Sequence, residues 1–234
     1  MEELRVNALK NCNFIRSITL SHGLTEIGEG TFYMCRNLET VIIPETVTKI
    51  GPGAFESSGL KSIILPYQSK GLTEIGKRAF CSCFNLENVA IPETVTEIGP
   101  DAFSMSGLKS IILPDGRLTE IDRHTFYGCR NLETVVIPES VTKIGYGAFT
   151  GCEMKSIILP GRLTEIGEGA FYRCSKLESV DIPETVAKIG FFAFAQSGLK
   201  SITLSYGTEI GEYAFYGCGN LAVKYRNQFQ CVLQ

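Results

Sequence analysis

A phenylalanine returns along this chain about every 23 residues. Phe32, Phe55, Phe80, Phe103, Phe126, Phe149, Phe171, Phe194 and Phe215 are separated by 23, 25, 23, 23, 23, 22, 23 and 21 residues. Whole phrases return with them: NLETVIIPETVTKIGPGAF at 37–55 reappears almost letter for letter as NLETVVIPESVTKIGYGAF at 131–149, with looser copies at 85–103 and 177–194. A partial copy precedes the first, with Leu9 in the phenylalanine place and Ile15, Ile18 and Leu20 in register behind it. A unit of this length cannot bury its own apolar face and has to stack on its neighbours. A catalytic site needs a given residue once; a phrase restated along a chain is about stacking.

Each unit carries the same apolar code, which in one copy is Leu132, Val135, Ile137, Pro138, Val141, Ile144, Gly145, Ala148, Phe149 and Cys152. The alternation at Val135 and Ile137 predicts a short strand with one buried face. Pro138 ends it, because proline has no N–H for a ladder. The glycine that follows the isoleucine is expected to supply an unusual backbone angle at a corner. The Ala-Phe segment is too short for a helix and predicts a 3₁₀ or single-turn piece. The expectation is a mainly β repeat solenoid: a parallel strand ladder with short 3₁₀ or turn segments, about ten coils of about 23 residues. It forms a single domain over 1–234, with a first partial coil at 1–23, regular coils at 24–221 and an irregular end or cap at 222–234.

The pattern L-x-x-I-x-I-P-x-x-V-x-x-I-G-x-x-A-F-x-x-C closely resembles the BspA-like leucine-rich repeats, from about Ala8 to Leu221. That resemblance implies a leucine-rich-repeat solenoid and a cell-surface or secreted binding protein that meets other proteins or host surfaces. Residue spacing by itself shows no such role.

Other classes have little support. A net charge of −3 leaves no basic footprint for nucleic acid. No apolar run approaches the roughly 18 residues of a membrane span, so no membrane insertion is expected. The segment MEELRVNALKNCNF has no cationic stretch leading into an apolar core, so it does not read as a secretory signal. His22 and His124 lie between four and five coils apart, on the order of 20 Å at about 5 Å per coil, and cannot share a site. The GEGAF and GPGAF stretches lack the helix that a phosphate loop needs. No nucleophile–base set is required by any spacing, so the chain reads as a non-enzyme with no cofactor and no metal.

Nine cysteines suggest disulfides or zinc until they are placed on the repeat. Cys35, Cys83, Cys129, Cys152, Cys174 and Cys218 each follow their phenylalanine by three residues, Cys12 follows Leu9 likewise, and Ser58, Ser106 and Ser197 fill the same place elsewhere. A position that accepts Cys or Ser is small and buried, and the thiol there acts as a compact hydrophobe. Cys81 and Cys231 fall outside the column. So many unpaired thiols suit a reducing or anaerobic setting.

Two columns face outward beside the strand. Arg16, Glu39, Lys61, Glu87, Lys109, Glu133, Lys155, Glu178 and Lys200 alternate in sign and read as a register lock between neighbouring strands. The mid-strand position reads Thr19, Ile42, Ile64, Ala90, Ile112, Val136, Ile158, Asp181, Thr203. Ile42, Ile64, Ile112, Val136 and Ile158 would then form an aliphatic stripe on the open sheet face, polar at both ends, and are the candidate partner-binding residues. The alternative is that β-branched residues simply suit exposed strands. A weaker candidate is a loop rim of Tyr67, Lys70, Arg117, Arg162 and Tyr206, of a composition suited to a carbohydrate or an acidic partner, set against ordinary turn chemistry. Tyr33, Tyr127, Tyr172 and Tyr216 form a further column expected to pack at the turn, and His124 is expected on an exposed turn. The functional expectation is a non-catalytic protein-binding solenoid with an unidentified protein partner. The alternatives are a structural spacer or a module self-associating through its ends, and then a glycan-binding module.

Overall fold

The computed structural model describes residues 2–67, 71–219 and 221–226. The chain winds into nine turns, each centred on one of the phenylalanines from Phe32 to Phe215, after a partial first coil. Each full turn contributes two short strands. One set runs from Ser17–Thr19 through Thr40–Ile42 and Ser62–Ile64 to Ala222–Tyr225; the other runs from Glu2–Leu4 through Leu24–Ile27 and Lys49–Ile50 to Glu209–Ile210. All pairings are parallel, with Ile111 beside Val89 and Val135 in the first set and Ile144 beside Ile121 and Ile166 in the second. Residues 222–225, set apart in the sequence as irregular, continue the first ladder by pairing with Ser201–Leu204.

The core is a column of rings. Consecutive phenylalanines from Phe32 to Phe215 stack with centroids 5.0–5.8 Å apart and planes within 12° of parallel. The strand leucines, valines and isoleucines pack around them, so one continuous apolar core runs along the solenoid. Full burial of one such side chain is worth about 1.5–3 kcal/mol.

The Ala-Phe segments form turns and not 3₁₀ helix among the described residues. The N–H groups of Thr31, Tyr33 and Cys35 fold back on the carbonyls of Gly28, Gly30 and Phe32, while those of Gly30, Phe32 and Met34 donate to Pro52, Ala54 and Glu56 of the next coil. A 3₁₀ segment would spend every N–H within its own coil. The alternation instead makes this segment a third hydrogen-bonded wall, with left-handed backbone at two places per coil, such as Gly30 (φ 59°) and Met34 (φ 56°).

The glycine after the strand isoleucine has a different job from the one expected. None of these glycines has positive φ. A Cβ on Gly51, Gly76 or Gly145 would instead lie 2.8 Å from a carbonyl oxygen of the preceding coil. A second close-approach column is formed by Gly59, Gly107 and Gly198, where a Cβ would meet the preceding backbone at 2.0–2.2 Å. The first column has one exception, and the second, which recurs in alternate coils, has one among those coils; each marks a gap. Asp122 stands in the first column, and there Glu97–Ile98 and Glu120–Ile121 do not pair and the Phe103–Phe126 spacing is the widest in the stack, at 5.8 Å. Glu74, Glu97 and Glu120 also put three carboxylates in succession along that wall, where elsewhere Lys49–Glu74 and Lys143–Glu165 pair. Glu153 stands in the second column, and there Thr134–Val136 and Ser156–Ile157 do not pair. A third gap, between Ser62–Ile64 and Asn88–Ala90, coincides with the longest coil, the 25 residues from Phe55 to Phe80. The turn wall bridges every gap, through bonds such as Phe55 to Ala79, Phe103 to Thr125 and Phe126 to Ala148.

The cysteine column is buried and internally bonded. Cys83, Cys129, Cys152, Cys174 and Cys218 each donate Sγ–H to the carbonyl of the phenylalanine one coil back, at 3.0–3.1 Å. Ser58, Ser106 and Ser197 lie 3.2–3.4 Å from the next coil's thiol, so Cys and Ser are interchangeable in this column. Burial pushes the Cys83 thiol up to about 12 and the Cys129 thiol up to about 11, against the lowering effect of the serine contacts. The Cys174 thiol is likewise pushed up to about 12. Cys81 is also buried, and desolvation raises its pKa despite the nearby Arg78. Cys231 lies outside the described residues.

Asp122→Gly should stabilise the protein by about 1 kcal/mol in urea unfolding, one or two ladder bonds regained at about 0.5–1.5 kcal/mol each less the entropy of a new glycine. Gly76→Ala, at a site already closed, should cost about 1–3 kcal/mol. A neutral Asp122→Gly would remove aspartate as the cause of that gap. For the thiols, a folded pKa above the unfolded value means that the unfolded chain loses its proton first as pH rises. Wild-type stability should therefore fall between pH 9 and the folded values near 11–12, and fall less in a Cys129→Ser, Cys174→Ser variant; equal slopes would refute this account.

Candidate functional site

The open face is built by strand alternation. In the strand around Val135, Val135 and Ile137 point into the core while Val136 points out, and the same holds for Ile42, Ile64 and Ile112 between their buried neighbours. Their exposure runs from 46% at Ile42 to 84% at Ile158. Register brings them together: Ile42 lies beside Thr19 and Ile64, and Ile112 beside Ala90 and Val136. Ile158 follows a strand that stops at Ile157 next to the gap at Glu153, which accounts for its being the most exposed of the five. The polar end is also structured, since Asp181 beside Thr203 is held by Arg226, which also reaches the Ile182 carbonyl and Glu184.

On one side of the stripe runs the alternating charge column. Glu39–Lys61, Glu87–Lys109 and Glu178–Lys200 are ion pairs of 2.7–3.0 Å. Among the described residues the remaining neighbours in this column form no pair, both where the ladder is closed, as at Lys109 and Glu133, and where it opens, as at Lys61 and Glu87. Exposed pairs of this kind are worth about 0–1 kcal/mol, so they set register more than stability.

Ala90 interrupts the stripe and leaves a recess of about 410 Å³ between Ile112, Tyr67 and the carboxylates of Glu93 and Asp115. This recess was missed in the sequence; the only signal was a single alanine in a column of isoleucines. The loop-rim residues do not converge. Tyr67, Arg117, Arg162 and Tyr206 lie on alternate coils, about 10 Å from one to the next. Tyr206 stacks on Tyr225 at 5.2 Å, and Lys70 lies outside the described residues. His124 is half-buried rather than free on a turn, with its ring edge-on to Tyr127 and Tyr146 and its Nδ1 3.6 Å from Asp101. Among the described residues, no group of three His, Cys, Asp or Glu side chains could hold a metal ion. A second concave region lies on the turn wall around Tyr127, Thr150 and Tyr172.

Known proteins share this architecture. A family model described as the BspA type leucine-rich repeat region, in six copies, matches residues 2–122 and 97–222. A leucine-rich repeat protein from Bacteroides ovatus ATCC 8483 superposes with a TM-score of 0.79 at 29% identity over 89% of this chain, which spans 63% of that protein. A leucine rich cell surface protein from Faecalibacterium prausnitzii A2-165 gives a TM-score of 0.55 at 29% identity, covering 95% of this chain and 69% of its own. A leucine rich repeat protein of T. pallidum gives 0.60 at 29% identity, covering 72% and 79%. No curated protein matches the chain.

Because the stripe points outward, Ile64→Thr and Ile112→Thr should each change unfolding free energy by no more than about 0.5 kcal/mol. Ile111→Thr, one residue away and buried, should cost about 2–3 kcal/mol. Equal costs at Ile111 and Ile112, measured by denaturant titration, would contradict the assigned strand facing.

Proposed function

The chain belongs to the BspA type leucine-rich repeat family, and on that premise we propose that it is a non-catalytic module that binds a protein partner on its open strand face. The observation that carries this reading is the row of exposed aliphatic side chains from Ile42 to Ile158, in register from Ile42 to Ile64 and from Ala90 to Val136 and flanked by polar residues at Thr19 and Asp181. A contiguous apolar strip with polar margins is the usual form of an interaction surface, with a desolvated centre and a wet rim. The recess at Ala90 offers a place for one bulky partner side chain, an anchor of the kind that dominates binding energy. A cell-surface location is part of this proposal and is supported by the description of the Faecalibacterium relative.

A second reading, association of copies through the solenoid end, is favoured by one feature. The last described strand, Ala222–Tyr225, exposes Val223 and Tyr225, and exposed strand ends invite pairing with another chain.

The test is affinity capture from separate cytosolic and surface-protein extracts with wild type and an Ile64→Glu, Ile112→Glu, Ile158→Glu variant whose fold is checked by circular dichroism. A partner held by the wild type and lost by the variant is the expected result; equal capture by both would reject the open face. Light scattering across a concentration series separates the second reading, since a constant monomer mass would reject end-to-end association.

A further inference from the structure

The turn wall presents two left-handed columns, and in most coils at least one of them bears a side chain: Arg78, Asp101, His124 and Phe192 in one, Met34, Ser57, Met105 and Arg173 in the other. At Gly147 and Gly151 both columns are bare in one coil, and the bareness extends to Gly169 on one side and Gly128 on the other. Two concavities result, of about 330 and 560 Å³, and they share Tyr127, Thr150 and Tyr172. The first lies over Gly169 and is lined by His124, Tyr146, Glu168 and Phe192, with the His124 ring resting against Gly147, 2.5 Å from where a Cβ would stand. The second runs on over Gly128 and Gly151 toward Asn131 and Arg173.

We propose that this groove binds a neutral oligosaccharide. Three properties point to that class. The first is spacing. Tyr127 and Tyr172 hold equivalent positions two coils apart, about 10 Å along the stack from the spacing of the phenylalanines behind them. The coil between them carries the small Thr150 in that place, so the wall is recessed between two aromatic side chains. The second is the mixture of groups: aromatic rings to meet the C–H faces of a sugar, with tyrosine hydroxyls, the Asn131 amide and the Glu168 carboxylate to meet its hydroxyls. The third is charge. Glu168 lines one concavity and Arg130 and Arg173 the other, so the groove carries both signs. The Arg173 guanidinium lies 5.1 Å over the Tyr172 ring, which leaves Tyr127 as the main aromatic platform. Two joined concavities favour a chain of sugar rings over a single one.

The groove is on a different wall from the aliphatic stripe, so this proposal stands or falls separately from the open-face reading. The experiment is saturation-transfer NMR on the whole chain with neutral oligosaccharides of glucose, galactose, mannose and N-acetylglucosamine, with tetramethylammonium as the counter-probe. The column itself supplies a blocking variant, since Arg78 occupies the place of Gly169 in another coil with the same left-handed backbone. Gly169→Arg should fold and abolish binding, and Tyr127→Ala should weaken it about tenfold or more. Gly53→Arg, in the same column but remote from the groove, and the triple isoleucine variant should bind as wild type does. The proposal is overturned if the wild type binds no oligosaccharide, if Gly169→Arg and Tyr127→Ala bind undiminished, or if tetramethylammonium displaces the sugar.

Discussion

Neighbouring coils are held by backbone hydrogen bonds across a spacing of about 5 Å, and that spacing leaves no room for a Cβ at two places in the turn. The rest of the structure depends on this constraint. Glycine at Gly51, Gly76 and Gly145, and at Gly59, Gly107 and Gly198, lets backbone lie on backbone. The same rise sets the ring stack of the phenylalanines and brings each column thiol within bonding distance of the carbonyl one coil back. Asp122 and Glu153 show the constraint by violating it: where Asp122 replaces the glycine of the first column, or Glu153 that of the alternate coils in the second, the adjacent ladder opens. The solenoid tolerates each opening because the turn wall still bonds across it.

The surfaces proposed to carry function arise where the repeat departs from its own average. The open face follows from strand alternation, but its most exposed member, Ile158, sits next to the gap at Glu153. The recess beside Tyr67 exists because one coil has alanine where its neighbours have isoleucine. On the turn wall, glycines in two columns coincide in adjacent coils and leave a groove between tyrosines. In all three cases the scaffold is periodic and the site is a local omission or substitution. A repeat architecture can vary such positions cheaply, because each coil contacts only its neighbours.

Much of this was legible in the residues. The period, the strand and its proline stop, the phenylalanine core, the Cys/Ser column and the inward–outward order of the stripe can all be read by aligning nine copies of one phrase, because each depends on what a residue does within its own coil. In the sequence the glycines after isoleucine read as conformational, since in one dimension a glycine that adopts a special angle looks the same as a glycine that makes room. The Ala-Phe segment was expected to spend its hydrogen bonds within one coil, whereas half of its N–H groups bond to the next. His124 was placed on an open turn because the tyrosines that hold it come from the turn and from the following coil.

The sequence by itself determined that this chain stacks, at what period, which face of each strand is buried and which residues make the outward row. Those follow from hydrophobic periodicity, a property of each coil taken alone. Only the tertiary structure decided where the ladders open, which glycines are spatial requirements, and where the turn wall is recessed. Those depend on what the preceding and following coils place within a few ångströms, and two residues 23 apart are neighbours only after the chain has wound.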